Sequence, residues 1–405
     1  MRHFSKSSTH GFSLTELLVA LAAGLVVTAG AAQLYSSGMD ATWVVQQRSE
    51  MQQDLRAAED MLVQDISLAG AGLTGITGKN VPLPFTNALP VYACYTGNVC
   101  PIGAISYPCV GGACGASNPP TLYPIMPGYK RGIKPPGSTT PSDVITVVYT
   151  DASFPLNCYS GSDNPISFNG TGNVLTFMAP RTTPPCVLPP GVNYPPALNN
   201  PVNGLQAGDL VLLGPWGAAS AIGEVTSVSP GNPGNSPATP CTGSPCAGGS
   251  KYTVTFADSD TLNINQSGQT NDLTALAGAG AGVAINRIFV ITYYLANWVD
   301  AAGNTTTILY RQVNGHPAVP LVDNIASLQF TYDTYDSDGN LLNATGDGGE
   351  ATGTSPSLIR KVNLAHLTIH SQVYGTGSGY KAKGYQSFDV QTSISTRNMS
   401  FNNRY

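Results

Sequence analysis

Between Phe12 and Ala32 the chain is apolar at nearly every position, and Glu16 is the one charge in those 21 residues. As a helix rising 1.5 Å per residue the run is about 31 Å long, enough to cross a bilayer. Farther on the pattern changes. Val44, Met51, Leu55, Ala58, Leu62, Ile66 and Ala69 recur at steps of 7, 4, 3, 4, 4 and 3, with Arg48, Glu50, Asp54, Arg56, Glu59 and Asp60 between them. That spacing puts the apolar side chains on one face of a helix. No Pro occurs from residue 12 to residue 80, and Gly70 and Gly72 supply a stop. The prediction is one helix of about 58 residues, near 87 Å. Its first half is apolar all round and its second half amphipathic.

Later in the chain the period drops to two. DVITVVYTD (143–151), NVLTFMA, GDLVLLG, KYTVTFAD, GVAINRIFVITYYLAN (282–297), TTILYRQV, ASLQFTYDTY, RKVNLAHLTIHSQVY and QSFDVQTSIST read as strands. About ten strands and one long helix predict an α+β chain, with a mainly antiparallel sheet against the helix. Residues 73–142, rich in Pro, Gly and Cys, read as a loop-dominated insertion, and residues 229–250 as a loop.

Composition moves this chain outside the cell interior. Only 10% of residues are charged, against about 25% in ordinary soluble domains. The chain of 405 residues carries 45 Gly and 31 Pro, which suits an extracellular β-rich protein with long loops. A net charge of −5 gives no electrostatic reason for a nucleic-acid partner. The eight cysteines fall at 94, 100, 109, 114, 158, 186, 241 and 246. In an exported protein an even set with local spacing reads as disulfides. Two C-x4-C pairs could also supply zinc ligands, but their flanks are loop-like and no His lies near. The pairing expected is Cys94–Cys100, Cys109–Cys114, Cys158–Cys186 and Cys241–Cys246, one of about 105 connectivities.

Residues 1–11, MRHFSKSSTHG, are polar and basic through Arg2 and Lys6, which predicts a cytoplasmic leader. No small-residue cleavage site of the secretory kind follows the apolar run. Instead Gly11 precedes it, Phe12 comes next, and Glu16 stands fifth from Phe12. A carboxylate at membrane depth is unfavourable and calls for a partner and a function. The alternative is a plain anchor with Glu16 at the interface. The combination resembles the class III signal of prepilins. That resemblance implies cleavage after Gly11 by a prepilin peptidase that also N-methylates Phe12. The new cationic amine is then close to Glu16, on the same chain or on a neighbour in a fibre.

The stretch DLRAAEDMLVQDISLAGAGLTG resembles the part of PilW-type minor pilins where a helix ends in Asp-Ile-x-x-Ala-Gly. GDLVLLGPWGAASAIGEVTSV is similar to their central strand pair, and LYRQVNGHPAVPLVDNIASLQFTYDTYDSDG to the strand and turn before the last third. IRKVNLAHLTIHSQ, followed by TSISTRNMS, is similar to their closing strands. The implied fold is pilin-like: a long helix packed on an antiparallel sheet domain with a disulfide-stapled insertion. The implied organisation is a cleaved leader 1–11, a helix 12–72 with its membrane or fibre-core part at 12–32, an insertion at 73–250 and a C-terminal sheet region at 251–405. The implied partners are other major and minor pilins, the prepilin peptidase and an inner-membrane assembly platform. The chain would cross the bacterial inner membrane once, with its globular part in the periplasm, and then reach the pilus. Its role would be to prime or join type IV pilus assembly. A minor pseudopilin of type II secretion and a pilus-tip adhesin using residues 73–250 are the rival readings. Major pilins usually carry a Pro in the apolar half; here Gly24, Gly30 and Gly38 are the only flexible points.

Candidate chemistry elsewhere is sparse. His366 and His370 are four apart, but the alternation around them is that of a strand, so about 13 Å separates them and both are expected to face solvent. Asp333, Asp336 and Asp338 share a turn with Gly339 and Asn340. Calcium is the cation such a turn could take, though an Asp-Gly hairpin turn explains most of the pattern. GTGSGYKAKG (375–384) lacks the order of a phosphate loop and reads as a hairpin loop. No nucleophile-elbow, zincin or paired-acid pattern is present, so neither an enzyme nor a resident cofactor is expected. Tyr92, Tyr95, Tyr107, Tyr123 and Tyr129 lie in or near loops, where they could contact sugars or brace the loops.

Overall fold

The computed structural model describes residues 12–73, 81–82, 121–136, 138–151, 156, 167–177, 198–200, 204–216, 219–230, 252–257, 273–276, 285–299, 301, 303, 305–336, 338–342, 358–370 and 387–400. All eight cysteines, and with them the four expected disulfides, lie outside the described residues, as do Gly11 and the loop at 375–384. By internal contacts the chain divides into two units, Met1–Gln53 and Asp54–Tyr405.

The first unit is helical. Helix α1 runs unbroken over Leu14–Ser67, 54 residues. It passes straight through Gly24, Gly30 and Gly38, where an added methyl group would meet nothing within 4 Å. Thr28 and Thr42 donate their hydroxyls back to the carbonyls of Gly24 and Gly38, at 2.7 and 2.8 Å. The apolar positions of this half are exposed, Leu17, Leu18, Val19, Leu21, Leu25, Val26 and Val27 each by more than half.

The second unit begins in the amphipathic end of α1. Leu55, Ala58, Leu62 and Ile66 are buried, the face that the spacing predicts, and Ala69 and Leu73 continue it past the helix end. Termination follows the glycines. Gly70 and Gly72 both take positive φ, 76° and 70°. The Gly70 amide then donates to Val148 at 2.9 Å, and the Thr150 amide donates to Ala71 at 2.9 Å.

Strands β1 (Val81–Pro82) and β2 (Thr121–Leu122) pair with each other. The next ten are β3 (Ile125–Gly128), β4 (Val144–Thr150), β5 (Ser167–Phe168), β6 (Val174–Phe177), β7 (Leu210–Trp216), β8 (Ala219–Pro230), β9 (Tyr252–Phe256), β10 (Ile285–Val299), β11 (Thr305–Val313) and β12 (Val319–Val322). They form one sheet, ordered β12-β11-β10-β7-β8-β9-β6-β5, with β4 also paired to β10 and β3 to β4. A second sheet is made of β13 (Ile325–Thr334), β14 (Ile359–His370) and β15 (Ser387–Ser395), followed by the short helix α2 (Arg397–Ser400). Every strand pairing among the described residues is antiparallel. The architecture is therefore the α+β class that the sequence predicts. Six strands from the expected insertion, β3 to β8, share the large sheet with β9 to β12.

Strand β4, VITVVYT, is buried at all seven positions, as a continuous apolar run covered on both faces should be. On β14 the burial does not keep a period of two. Ile359, Val362, Leu364, Leu367 and Ile369 are buried, and the register against β13 or β15 shifts where the step is three. Each bulge returns the apolar side chains to the same face. Asp143 joins the two sheets. Its amide donates to Leu328, and its carboxylate accepts the amides of Lys130 at 2.7 Å and Phe330 at 2.8 Å. Burial pushes its carboxyl up to about 6, against the pull of those two amides.

Candidate functional site

The N-terminal end of α1 is built on Ser13. Its Oγ accepts the Glu16 amide at 3.3 Å, while Glu16 Oε2 accepts the Ser13 amide at 3.0 Å. This reciprocal arrangement is a capping box, and it satisfies two of the amide donors that every helix start leaves open. It also turns the Glu16 carboxylate back toward residue 12, the first residue described. Phe12 itself is exposed. The spacing Ser-x-x-Glu was readable in the sequence as a cap, which adds a local role to the carboxylate.

From this cap onward α1 is long and apolar enough to cross a membrane, and its most apolar window is wholly uncovered within the chain. An apolar stripe can be explained by a soluble core; a helix apolar on every side is instead suited to lipid or to other helices.

At its other end α1 is pinned by a polar cluster that the sequence pattern did not disclose. Asp65 is buried in the last turn, where no basic residue stands. An anion there is opposed by the helix dipole. Three strands answer it. Tyr149 of β4 donates to Oδ1 at 3.0 Å, and Tyr293 of β10 donates to Oδ2 at 2.6 Å. Arg311 of β11 donates from Nε to Oδ2 at 2.8 Å and from Nη2 to Oδ1 at 3.3 Å. Burial, and then the charge of Asp65, push both phenols above their usual range. Burial is the largest single influence and works against the Arg311 charge, but the hydrogen bond and charge of Asp65, with those of Tyr293, together outweigh it and the net shift is upward. Arg311 therefore stays a cation. Asp65 and Ile66 open the Asp-Ile-x-x-Ala-Gly stretch, so its residues have separable tasks. Asp65 clamps, Ile66 and Ala69 fill the core, and Gly70 makes the turn.

The other candidates are dispersed. His366 is exposed on β14 and bonds Asp389 at 2.8 Å. His370, expected to face solvent, is half-buried, and burial lowers its imidazole below the usual range. Asp333 takes Asn363 at 2.9 Å and Lys361 at 3.4 Å. Asp336 accepts the amides of Asp338 at 3.0 Å and Asn340 at 2.7 Å, closing its own turn. Those bonds hold its carboxyl below the usual range, led by the Asn340 side chain. Among the described residues no group of three His, Cys, Asp or Glu is placed to hold a metal ion. Tyr123 and Tyr129 are half-buried, with Lys130 Nζ 4.7 Å above the Tyr129 ring; Tyr92, Tyr95 and Tyr107 lie outside the described residues.

The structure thus combines an apolar, capped N-terminal helix with a mainly antiparallel sheet domain. The model for the prokaryotic N-terminal methylation motif matches residues 6–32. The chain thus carries a prepilin-type signal, with the processing and the helix-mediated assembly that such a signal directs. No curated protein and no solved structure matches it.

Proposed function

We propose that this chain is a minor pilin of the PilW kind. It is cut after Gly11, N-methylated on Phe12 and held in the bacterial inner membrane by residues 12–32, with its sheet domain in the periplasm. The same helix then packs with other major and minor pilins, and the chain primes or enters a type IV pilus. Twitching, adhesion and DNA uptake are the downstream processes it would affect. The observation that carries this reading is a methylation motif continuous with an apolar half-helix that nothing in its own chain covers.

Glu16 supplies the assembly chemistry. In unprocessed chain its partner is the Ser13 amide. Processing adds a cationic amine one residue away, and a buried carboxylate favours a charged partner over a neutral one. Substituting Glu16→Ala is therefore expected to leave membrane insertion intact and remove the protein from sheared fibres. Normal incorporation of that variant contradicts the mechanism. Wild-type protein that is processed yet stays in membranes would favour the secretion pseudopilin instead.

A further inference from the structure

Strands β5 to β9 surround a core in which Phe168, Phe177, Val211, Tyr252 and Phe256 are buried together, and Ile285 at the start of β10 is the residue of that strand that enters it. Backbone pairing joins this lobe to β10 along four residue pairs, Leu210–Leu213 with Ile285–Ile288. By comparison β10 makes six pairs with β4 and nine with β11. A short seam of this kind leaves the angle of the lobe to be set by whatever else crosses it.

A charged cluster crosses it. From the lobe come Asp209, just before β7, and Glu224 of β8; from the other side come Arg287 of β10, Asp151 after β4, and His316 in the turn after β11. Arg287 donates to Asp151 at 2.8 Å through Nε and again through Nη2. Its Nη1 donates to the Gly204 carbonyl at 3.0 Å and stands 3.7 Å from Asp209. The imidazole Nε2 of His316 is 2.9 Å from Asp209 Oδ1, whose other oxygen accepts the Gln206 amide at 2.9 Å. Beside it the Gly315 amide crosses the seam to the Gly208 carbonyl at 3.0 Å. The approach needs both glycines. Gly208 has φ +93°, and a Cβ on Gly315 would come within 2.4 Å of Glu224 Oε1.

We propose that His316 is a proton-operated latch: its contact with Asp209 holds the β5–β9 lobe against β10 and β11, tightly when the imidazole is charged and loosely when it is neutral. Three carboxylates, Asp151, Asp209 and Glu224, face two cationic side chains, and Arg287 is already committed to Asp151. Charging His316 supplies the second cation. The hydrogen bond to Asp209 raises the imidazole, burial opposes it, the charges of Asp209 and Glu224 add to it, and Arg287 subtracts; the net direction is above the ordinary 6.5. A folded value above the unfolded one means that this stabilisation is full below about pH 6.5 and fades as pH rises through the higher folded value.

The test uses the full chain in detergent micelles and the variant His316→Gln, which keeps a neutral donor and cannot charge. Wild type should melt above the variant near about pH 5.5, and the gap should close by about pH 9. Amide exchange gives the local readout. Protection at Gly315, which crosses the seam, should fall several-fold over that range in wild type only. Protection at Gly208, whose amide bonds Val225 inside the lobe, should not follow it. An equal melting gap at both pH values, or Gly315 protection that is independent of pH, overturns the latch. Should the variant fail to fold, the His316 titration followed by NMR in wild type decides. A midpoint above the ordinary imidazole value supports the latch, and one at or below it overturns the proposal.

Discussion

Asp65 carries more of the second unit than its place in the sequence suggests. It is an anion at the wrong end of a helix, and it persists because two hydroxyls and a guanidinium from three strands converge on it. Breaking a buried pair by removing one partner typically costs about 3–5 kcal/mol, whereas removing both costs far less. Asp65→Asn should therefore destabilise the full chain by about that much in urea titration. Arg311→Met should cost much less in the Asp65→Asn background than in wild type. Additive losses would mean the two side chains do not act as a pair. None of this was readable beforehand, because Tyr149, Tyr293 and Arg311 are 84, 228 and 246 residues from Asp65. Glu16 is the opposite case. Its cap partner is three residues away and the Ser-x-x-Glu spacing was in plain view, but the carboxylate drew attention as a charge in an apolar run, fifth from Phe12, and not as a cap.

Among the elements, the helix and most strands were legible because local pattern determines them. The 3-4 spacing predicted the buried face of α1 from Leu55 to Ile66, which Ala69 continues past the helix end, and Gly70 and Gly72 marked the stop. The strand at 143–151 and the one at 282–297 appear as β4 and β10. What pattern could not supply was pairing and register, which depend on partners far along the chain. The bulges of β14, which keep Val362 and Leu367 on the buried face across odd steps, are set by β13 and β15. The helix end illustrates the same point. Gly72 has φ +70°, and a Cβ there would lie 1.7 Å from Thr150 Oγ1. Gly72→Ala should cost about 1–3 kcal/mol from its backbone alone, read as a lower melting temperature. Adding Thr150→Ala, which removes the overlap with Oγ1 but leaves the Cβ of residue 150 at 2.9 Å and the φ unchanged, should recover only part of the loss. Full recovery would assign the cost to the clash alone.

Over the whole molecule the two units have different chemistry. Met1–Gln53 supplies a helix whose apolar surface calls for lipid or other helices, and Asp54–Tyr405 supplies a sheet protein with its own buried core. The first role was legible in a short N-terminal stretch, because a leader, Gly11, Phe12 and Glu16 fall in a fixed order. The division of the large sheet into a body and a β5–β9 lobe was not, since it depends on the pairing of β4 with β10 across the whole run of chain that forms the lobe. In the proposed function, processing frees Phe12 and makes this chain a fibre subunit. Mass spectrometry of the N-terminal peptide, from membranes and from sheared surface fibres, tests it most directly. The expected result is a chain that starts at methylated Phe12 and is present in the fibre fraction. An intact Met1 in both fractions would contradict it and leave α1 as an ordinary anchor.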